Sequence, residues 1–450
     1  MNTREFTKMG VPGDCIGVAI TAMQRASASG RRDAKVVIPK VLANPEHYFE
    51  DTEYGDFAKA IAADRDFVRP APINYRTWGT DIDQPTHDQM SMACAMPNAV
   101  AAALMPDGHV GYGLPIGGVL ALDNAVCPFA VGVDIACRMK LSIFDIKPEL
   151  LDKPEQFKVA LEKGTNFGVG CEYNPRKSHE VMDEDWDVTP VTKRHKDKAW
   201  SQLGTSGSGN HFAEFGILTD LRNNEKTVAL MTHSGSRGTG SAVCDIYSAI
   251  AKARLSSKFS DLGNLAWLDL DTEAGQEYWM AMELMGMYAA ANHDIIHRSI
   301  AKLLHKPIMH SIENHHNFAW KEQHLGREVI VHRKGATPAG KGVMGVIPGS
   351  MGTPAFVVEG LGNPDSLCSA SHGAGRCMSR RKAKDTYTWA AVRNHLAKQG
   401  IIVLSAGADE VPYAYKDINK IMAEQSDLVT TIMRFDPKIV KMSDDGKSED

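Results

Sequence analysis

The spacing of apolar and polar positions changes character along this chain. Over 273–304 the apolar residues Tyr278, Met282, Met285 and Ala289 recur three or four positions apart, the repeat of a helix with one buried face. Gly286 inside that run lowers helix propensity a little without breaking the pattern, and the methionines there read as core. Helices are also predicted over 18–27, 54–63 and 380–398. Short apolar runs at 228–231, 329–331, 356–358 and 401–404, each bounded by glycine or polar residues, predict strands. Helices and strands follow one another without regular βαβ spacing, which favours an α+β fold.

Composition narrows the class. At 450 residues, with 43% hydrophobic and 23% charged residues, the chain can bury a large core in one large or two intimate domains. A formal net charge of −5 excludes a surface coated in basic residues, but a local basic groove can still take nucleic acid. No apolar stretch is long enough to span a membrane, and the opening MNTREFTKMG lacks the apolar region of a secretory signal. The eight cysteines show no small-domain disulfide pattern, so reduced thiols in a cytoplasmic setting are expected.

Candidate chemistry sits where glycine is dense. MPDGHVGYGLPIGG (105–118) surrounds Asp107 and His109 with glycines, implying a backbone folded tightly around something. Asp134 and Cys137 lie in GVDIAC, His211 in LGTSGSGNHFAEF, His233 at the head of HSGSRG, and His315 and His316 before Asn317. One thiolate, one carboxylate and several imidazoles suffice for one or two divalent ions, and their softness alone would suggest zinc. Any one of these residues taken singly reads as ordinary packing. His109 could be a ligand or could position substrate, and stays outside the metal set.

Phosphate-binding candidates follow. In SHGAGR (371–376), backbone N–H groups of residues 373–375 at a predicted helix start, with the Arg376 fork, would suit a phosphate. His372 there could attack phosphorus, and a capped turn with an incidental histidine is the bland alternative. GATPAGKG (335–342) nearly spells a P-loop, yet Gly342 stands where a magnesium-binding hydroxyl is required, so the motif is rejected. PGSMGT (348–353) reads as a turn able to line a nucleotide pocket.

Taken in order, MPDGHVGYGLPIGG, GVDIAC, LGTSGSGNHFAEF, HSGSRG, HHN, RKGATPA, PGSMGT, SHGAGR and DEVPYAYKDI resemble the RtcB family of RNA ligases from Met105 to Lys441. The resemblance implies a single large α+β domain built around a central metal cleft. It would span 76–442, after an unplaced segment 1–75 and before an acidic, fraying tail 443–450. It implies two manganese ions, one held by Asp134, Cys137 and His211, the other by Cys137, His233 and His316. His372 is then the histidine that becomes guanylylated. Asn210, His211, Phe212, Ala213, Glu214, His316, Asn317, Pro348, Gly349, Ser350, Met351, Gly373, Ala374, Gly375, Tyr415 and Lys441 would surround GTP. The activity implied joins RNA ends carrying a 3′-phosphate or 2′,3′-cyclic phosphate to 5′-hydroxyl ends, with an archease-type activator as a candidate partner. Because the attacking imidazole must be neutral, a hydrogen-bond acceptor is expected on its other nitrogen.

The chain departs from the family pattern near the metals. Ala136 and Arg138 flank Cys137 where the family commonly has Asn and Gly. Ala355 replaces a serine, and Lys441 is followed by Met442 and the acidic tail. Arg138 could meet RNA phosphate or turn outward to a carboxylate. These differences suggest a divergent bacterial-type paralogue. Two alternatives therefore stand beside the ligase: an RNA end-processing cyclic phosphodiesterase, and a metal-dependent RNA-binding stress protein with impaired ligation.

Overall fold

A computed structural model describes residues 1–444; most of the expected acidic tail, 445–450, lies outside the described residues. The chain separates into two compact units, Met1–Ala71 with Arg254–Gly263, and Pro72–Ala253 with Asn264–Asp450. The sequence reading had drawn a boundary at residue 75 and gave no reason to place 254–263 with the N-terminal segment.

The smaller unit is helical. Its first helix, Thr3–Lys8, starts at a capping box in which Asn2 and Glu5 satisfy each other's backbone N–H groups. Helices Ile16–Ala28, Ala34–Ala43 and Gly55–Arg65 contain the predicted spans 18–27 and all but the first residue of 54–63. In the first of them Ala19, Ala22 and Ala26 are buried at helical spacing, against Phe6, Ile38 and Phe57. The returning segment joins this core through Phe259, whose ring meets Phe67 edge-on. Ion pairs from Arg69 to Asp261 and from Lys258 to Asp64 fasten it further.

The larger unit is built on two sheets, and its mixture of helices and strands is the α+β class expected. One sheet has five strands, in the order Arg76–Thr77, Ala99–His109, Ile116–Leu122, Arg327–Lys334 and Asn317–His324. The other runs Met344–Ile347, Ala355–Gly360, Val429–Met442, Phe212–Asp220, Lys226–Ser234, Arg138–Phe144 and Ile308–His315, with Ile402–Ser405 also paired to Val429–Met442. Both faces of this second sheet are buried. Alternation sends Met139, Leu141, Ala229 and Met231 to one core, and Phe144, Val228, Leu230 and Phe215 to another beside Ile296 and Ile300 of a long helix.

That helix is Glu273–Leu304, the predicted span to the residue, begun by a Thr272 cap and ended by His305 in the left-handed region. The predicted helix 380–398 is instead two, Arg380–Thr386 and Trp389–Lys398. Tyr387 and Thr388 between them are extended, and the Tyr387 ring stacks on Tyr413 with centroids 5.2 Å apart. The side-chain stack thus draws the chain away from the helical path. Among the described residues no helix is long and apolar enough to cross a membrane.

Candidate active site

Strand order explains how distant ligand candidates meet. Phe212–Asp220, Lys226–Ser234, Arg138–Phe144 and Ile308–His315 are successive antiparallel neighbours, so the start of one lies beside the end of the next. His211 precedes the first strand, His233 is near the end of the second, Cys137 precedes the third and His316 follows the fourth. One end of the sheet therefore gathers all four, and Asp134 joins from the loop before Cys137.

The ligand atoms form two overlapping groups, Asp134–Cys137–His211 and Cys137–His233–His316, each within 4.8 Å. Cys137 Sγ lies 3.4 Å from His211 Nε2 and 3.0 Å from His233 Nε2, and His233 Nε2 lies 3.2 Å from His316 Nε2. His211 Nδ1 donates to the Ser206 carbonyl at 2.6 Å and His233 Nδ1 to the Asn210 carbonyl at 3.1 Å. Those bonds fix the tautomer, leaving both Nε2 lone pairs for the shared space, which is how proteins orient metal-binding imidazoles. His316 Nδ1 is buried without a hydrogen-bond partner. Burial brings the His233 imidazole down to about 3 and holds His316 well below its usual range, so both stay neutral. Burial is the largest influence on the Asp134 carboxyl and pulls it up, but its polar neighbours His211, Cys137 and Arg237 together bring it down to about 2. A convergence of lone pairs, one carboxylate and one thiol fits two divalent cations sharing Cys137.

Local backbone supports this geometry at some cost. Asp134 Oδ1 accepts from the Ser236 N–H at 3.0 Å, and its carboxylate presses so close to Gly235 that a Cβ there would overlap it. Ala136 sits at φ 56°, in the left-handed region that asparagine and glycine tolerate better. Its N–H donates to the Asn317 carbonyl at 2.7 Å. Arg138 turns away from the metal groups. Its guanidinium donates to the Gly286 carbonyl at 3.0 Å and approaches Glu313 at 3.5 Å, the outward alternative of the two considered.

A cleft adjoins the metal groups. Asn210, Phe212, Glu214, Pro348, Gly349, Ser350, Met351, His372, Gly373, Ala374, Gly375 and Tyr415 line it, together with His233 and His316. His211 and Asn317 lie instead in a second cleft with Asp134 and Cys137. Asn317 braces that region, with Nδ2 donating to the Asp134 carbonyl and Oδ1 accepting from the Gly335 N–H. Burial pushes the Glu214 carboxyl up to about 8.

Two further expected residues reach neither cleft. Lys441 pairs in register with Ala213, whereas Val440 pairs with Glu214 and Met442 with Phe212. The latter four line the cleft, so pleating sends Lys441 and Ala213 to the opposite face. Ala213 packs beside Phe215, and Lys441 Nζ donates to the carbonyls of Leu161, Glu162 and Thr165. Ala355 is likewise buried in the core, not in the cleft.

The 371–376 segment also differs from expectation. It does not open a helix, since the next one starts at Arg380. The Arg376 fork is engaged: Nη1 donates to Glu410 at 3.1 Å and Nη2 to the Asp409 carbonyl at 2.8 Å. Arg380 and the Tyr415 hydroxyl also reach Glu410. The acceptor for His372 is Asp107, fully buried, whose Oδ2 lies 2.7 Å from Nδ1. Sequence reading noticed Asp107 only as part of a glycine-rich turn; the demand for an acceptor was the signal that could have singled it out. His109 belongs to neither metal group. It lines the first cleft with Nδ1 on the Asp107 carbonyl at 2.9 Å, and burial brings it down to about 4.

Comparison with known proteins places the chain in a family. The family model described as tRNA-splicing ligase RtcB matches residues 89–188 and 177–442. The RNA-splicing ligase RtcB of Escherichia coli K12 is 34% identical over 395 residues, covering 80% of this chain and 95% of that protein. The tRNA-splicing ligase RtcB of Methanococcus maripaludis is 31% identical over 420 residues, covering 76% and 87%. That of Nanoarchaeum equitans is 33% identical over 418 residues, covering 75% and 87%. With matches of this extent, the chain belongs to the RtcB ligase family.

Proposed function

We propose that this protein seals RNA, using GTP and two manganese ions to join a 3′-phosphate end to a 5′-hydroxyl end. The observation that carries the reading is the His372–Asp107 pair at the wall shared by both clefts. Asp107 accepts the hydrogen bond from Nδ1–H, so Nε2 keeps its lone pair for attack on phosphorus. The rings of His372 and His316 lie 4.9 Å apart, beside the metal groups.

His372 Nε2 would attack the α-phosphorus of GTP, forming a P–N bond as pyrophosphate leaves. A terminal oxygen of the RNA 3′-phosphate then attacks the same phosphorus, releasing the imidazole and carrying GMP onto the RNA. A 5′-hydroxyl attacks the RNA phosphorus, loses its proton and expels GMP. RNA ends that arrive as 2′,3′-cyclic phosphates are opened by water first. Divalent cations held by Asp134, Cys137, His211, His233 and His316 would neutralise charge on the phosphates. Softness alone would favour zinc at this donor set, so manganese rests on family resemblance.

Glu214, Asn210 and Tyr415 fit the guanosine end of the cleft, where a carboxylate can accept from both donors on the Watson–Crick edge of guanine. The test is incubation with manganese and α-labelled GTP. Acid-labile label on the wild-type protein, absent in His372→Ala, is the expected result. A metal-loaded wild type that never labels overturns the reading. RNA bearing a 2′,3′-cyclic phosphate and a 5′-hydroxyl then separates sealing from end-opening.

A further inference from the structure

The second cleft meets the first at Asn210, His233, His316 and His372. It contains the Asp134–Cys137–His211 group, and Tyr112 stands at its rim, 60% exposed. A large aromatic left in water beside a reaction centre needs an explanation, and the backbone here sharpens the point. Gly111 is held from both sides by Gln89, whose Nε2 donates to its carbonyl at 2.6 Å and whose Oε1 accepts its N–H at 3.0 Å. Lys334 Nζ donates to the Tyr112 carbonyl. Gly113, at φ 71°, packs so near the Asn264 carbonyl that a Cβ would lie 3.2 Å from it. The main chain is fixed while the ring stacks on no aromatic among the described residues.

We infer that Tyr112 is a stacking platform for a nucleobase at one of the RNA ends brought to the metals. This inference rests on the ligase reading for the identity of its occupant. A ring held out on a rigid turn loses little entropy on contact, and single-stranded RNA ends are bound by laying unstacked bases on aromatic faces. Buried neighbours favour a base over a protein segment, because the ring adjoins a cleft of metal-binding and phosphate-binding groups. The hydroxyl is not required for stacking, so phenylalanine should replace tyrosine here.

The experiment measures anisotropy of fluorescent oligoribonucleotides on the full chain with manganese and no GTP. One oligomer ends in a 3′-phosphate, and another begins with a 5′-hydroxyl. Tyr112→Ala should weaken binding of one of them roughly five- to hundredfold, the range for loss of one stacked base, whereas Tyr112→Phe should stay within about twofold of wild type. An abasic terminal nucleotide should bring wild type to the level of Tyr112→Ala, with no further loss in that variant. The oligomer that shows this effect names the end. Unchanged binding in Tyr112→Ala, phenylalanine as weak as alanine, or indifference to both abasic ends overturns the inference. Labelling of wild-type protein with GTP is read separately. Failure there removes the ligase reading, while the anisotropy still decides whether Tyr112 stacks a base.

Discussion

Asp107 meets His372 through a single carboxylate oxygen. Oδ2 takes the imidazole Nδ1–H at 2.7 Å and the main-chain N–H groups of His372 and Gly373 at 3.2 and 3.3 Å, while Oδ1 is buried without a partner. Three donors on one oxygen hold the carboxylate in place, and it in turn fixes the orientation and tautomer of the ring. Asp107→Asn keeps the shape and removes the charge. Guanylylation of His372 should slow by roughly 10²- to 10⁴-fold, with metal content unchanged. Single-turnover labelling at wild-type rate would rule out this role for Asp107.

Much of this site could be read from residue types in context. Asp134, Cys137 and His211 sit in loops of glycine-rich segments, His233 stands near the end of a strand and His316 just after one, and strand ends are where ligands can converge. What could not be read was which strand lay beside which. Asp107 and His372 are 265 positions apart, and only the fold joins them. Lys441 and Ala213 match the family by position, yet pleating turns both from the cleft, a consequence of register that no motif states. The helix Glu273–Leu304 was legible because its cap and apolar repeat agree, whereas 380–398 hid a break made by the Tyr387–Tyr413 stack.

Cys137 belongs to both ligand groups, so its loss should be felt twice. Cys137→Ala should release both metals from the purified protein and abolish labelling by GTP. Cys94 offers a control: it is buried in a helix, and burial pushes its thiol up to about 12, leaving it an inert packing group. Cys94→Ala should retain full metal content and cost about 1 kcal/mol of stability. Metal analysis that finds both ions still bound to Cys137→Ala would contradict the shared-ligand assignment.

Glu214 lines the same cleft as His372, with its carboxyl raised to about 8 by burial. Guanine would offer two donors to the ionised form, so base binding must draw a proton off the carboxyl. GTP affinity should therefore rise with pH up to about 8 and level off above it. Glu214→Gln cannot ionise; it should lose this pH dependence and most of the preference for GTP over ATP. Competition titrations at pH 6.5 and 8.5 check both effects, and a variant as selective as wild type would exclude Glu214 from base recognition.

His332 predicts how the fold responds to acid. Its Nε2 accepts the Cys127 N–H at 3.0 Å and its Nδ1 faces the Leu120 and Ile330 carbonyls, so the neutral ring is fully used. Burial lowers it to about 4. The unfolded ring takes a proton below about 6.5 and the folded one does not, so stability is full above that pH and falls as pH drops towards 4. Between pH 7 and 5 this single group should cost on the order of 2 kcal/mol. Urea unfolding of the metal-free protein should show a loss that shrinks by that amount in His332→Gln. An identical pH dependence in the variant would remove His332 from the account.

Asn292 joins the two loops that carry candidate metal ligands. It is fully buried on the long helix; its Oδ1 accepts the Gly204 N–H at 2.8 Å and its Nδ2 donates to the Gly235 carbonyl at 2.9 Å. Gly204 leads to His211, and Gly235 stands between His233 and the Ser236 N–H that holds Asp134. Asn292→Asp should keep the first bond and lose the second, loosening Asp134 without emptying the core. Affinity for cobalt, followed by thiolate-to-metal absorption, should fall about 10- to 100-fold, as for other residues that orient ligands. His297→Leu supplies the comparison. His297 is buried on the same helix and bonds Thr232 and Ser142, so its loss should lower stability while leaving cobalt affinity near wild type. If the two variants lose cobalt affinity in proportion to lost stability, Asn292 is packing and does not position the metal site.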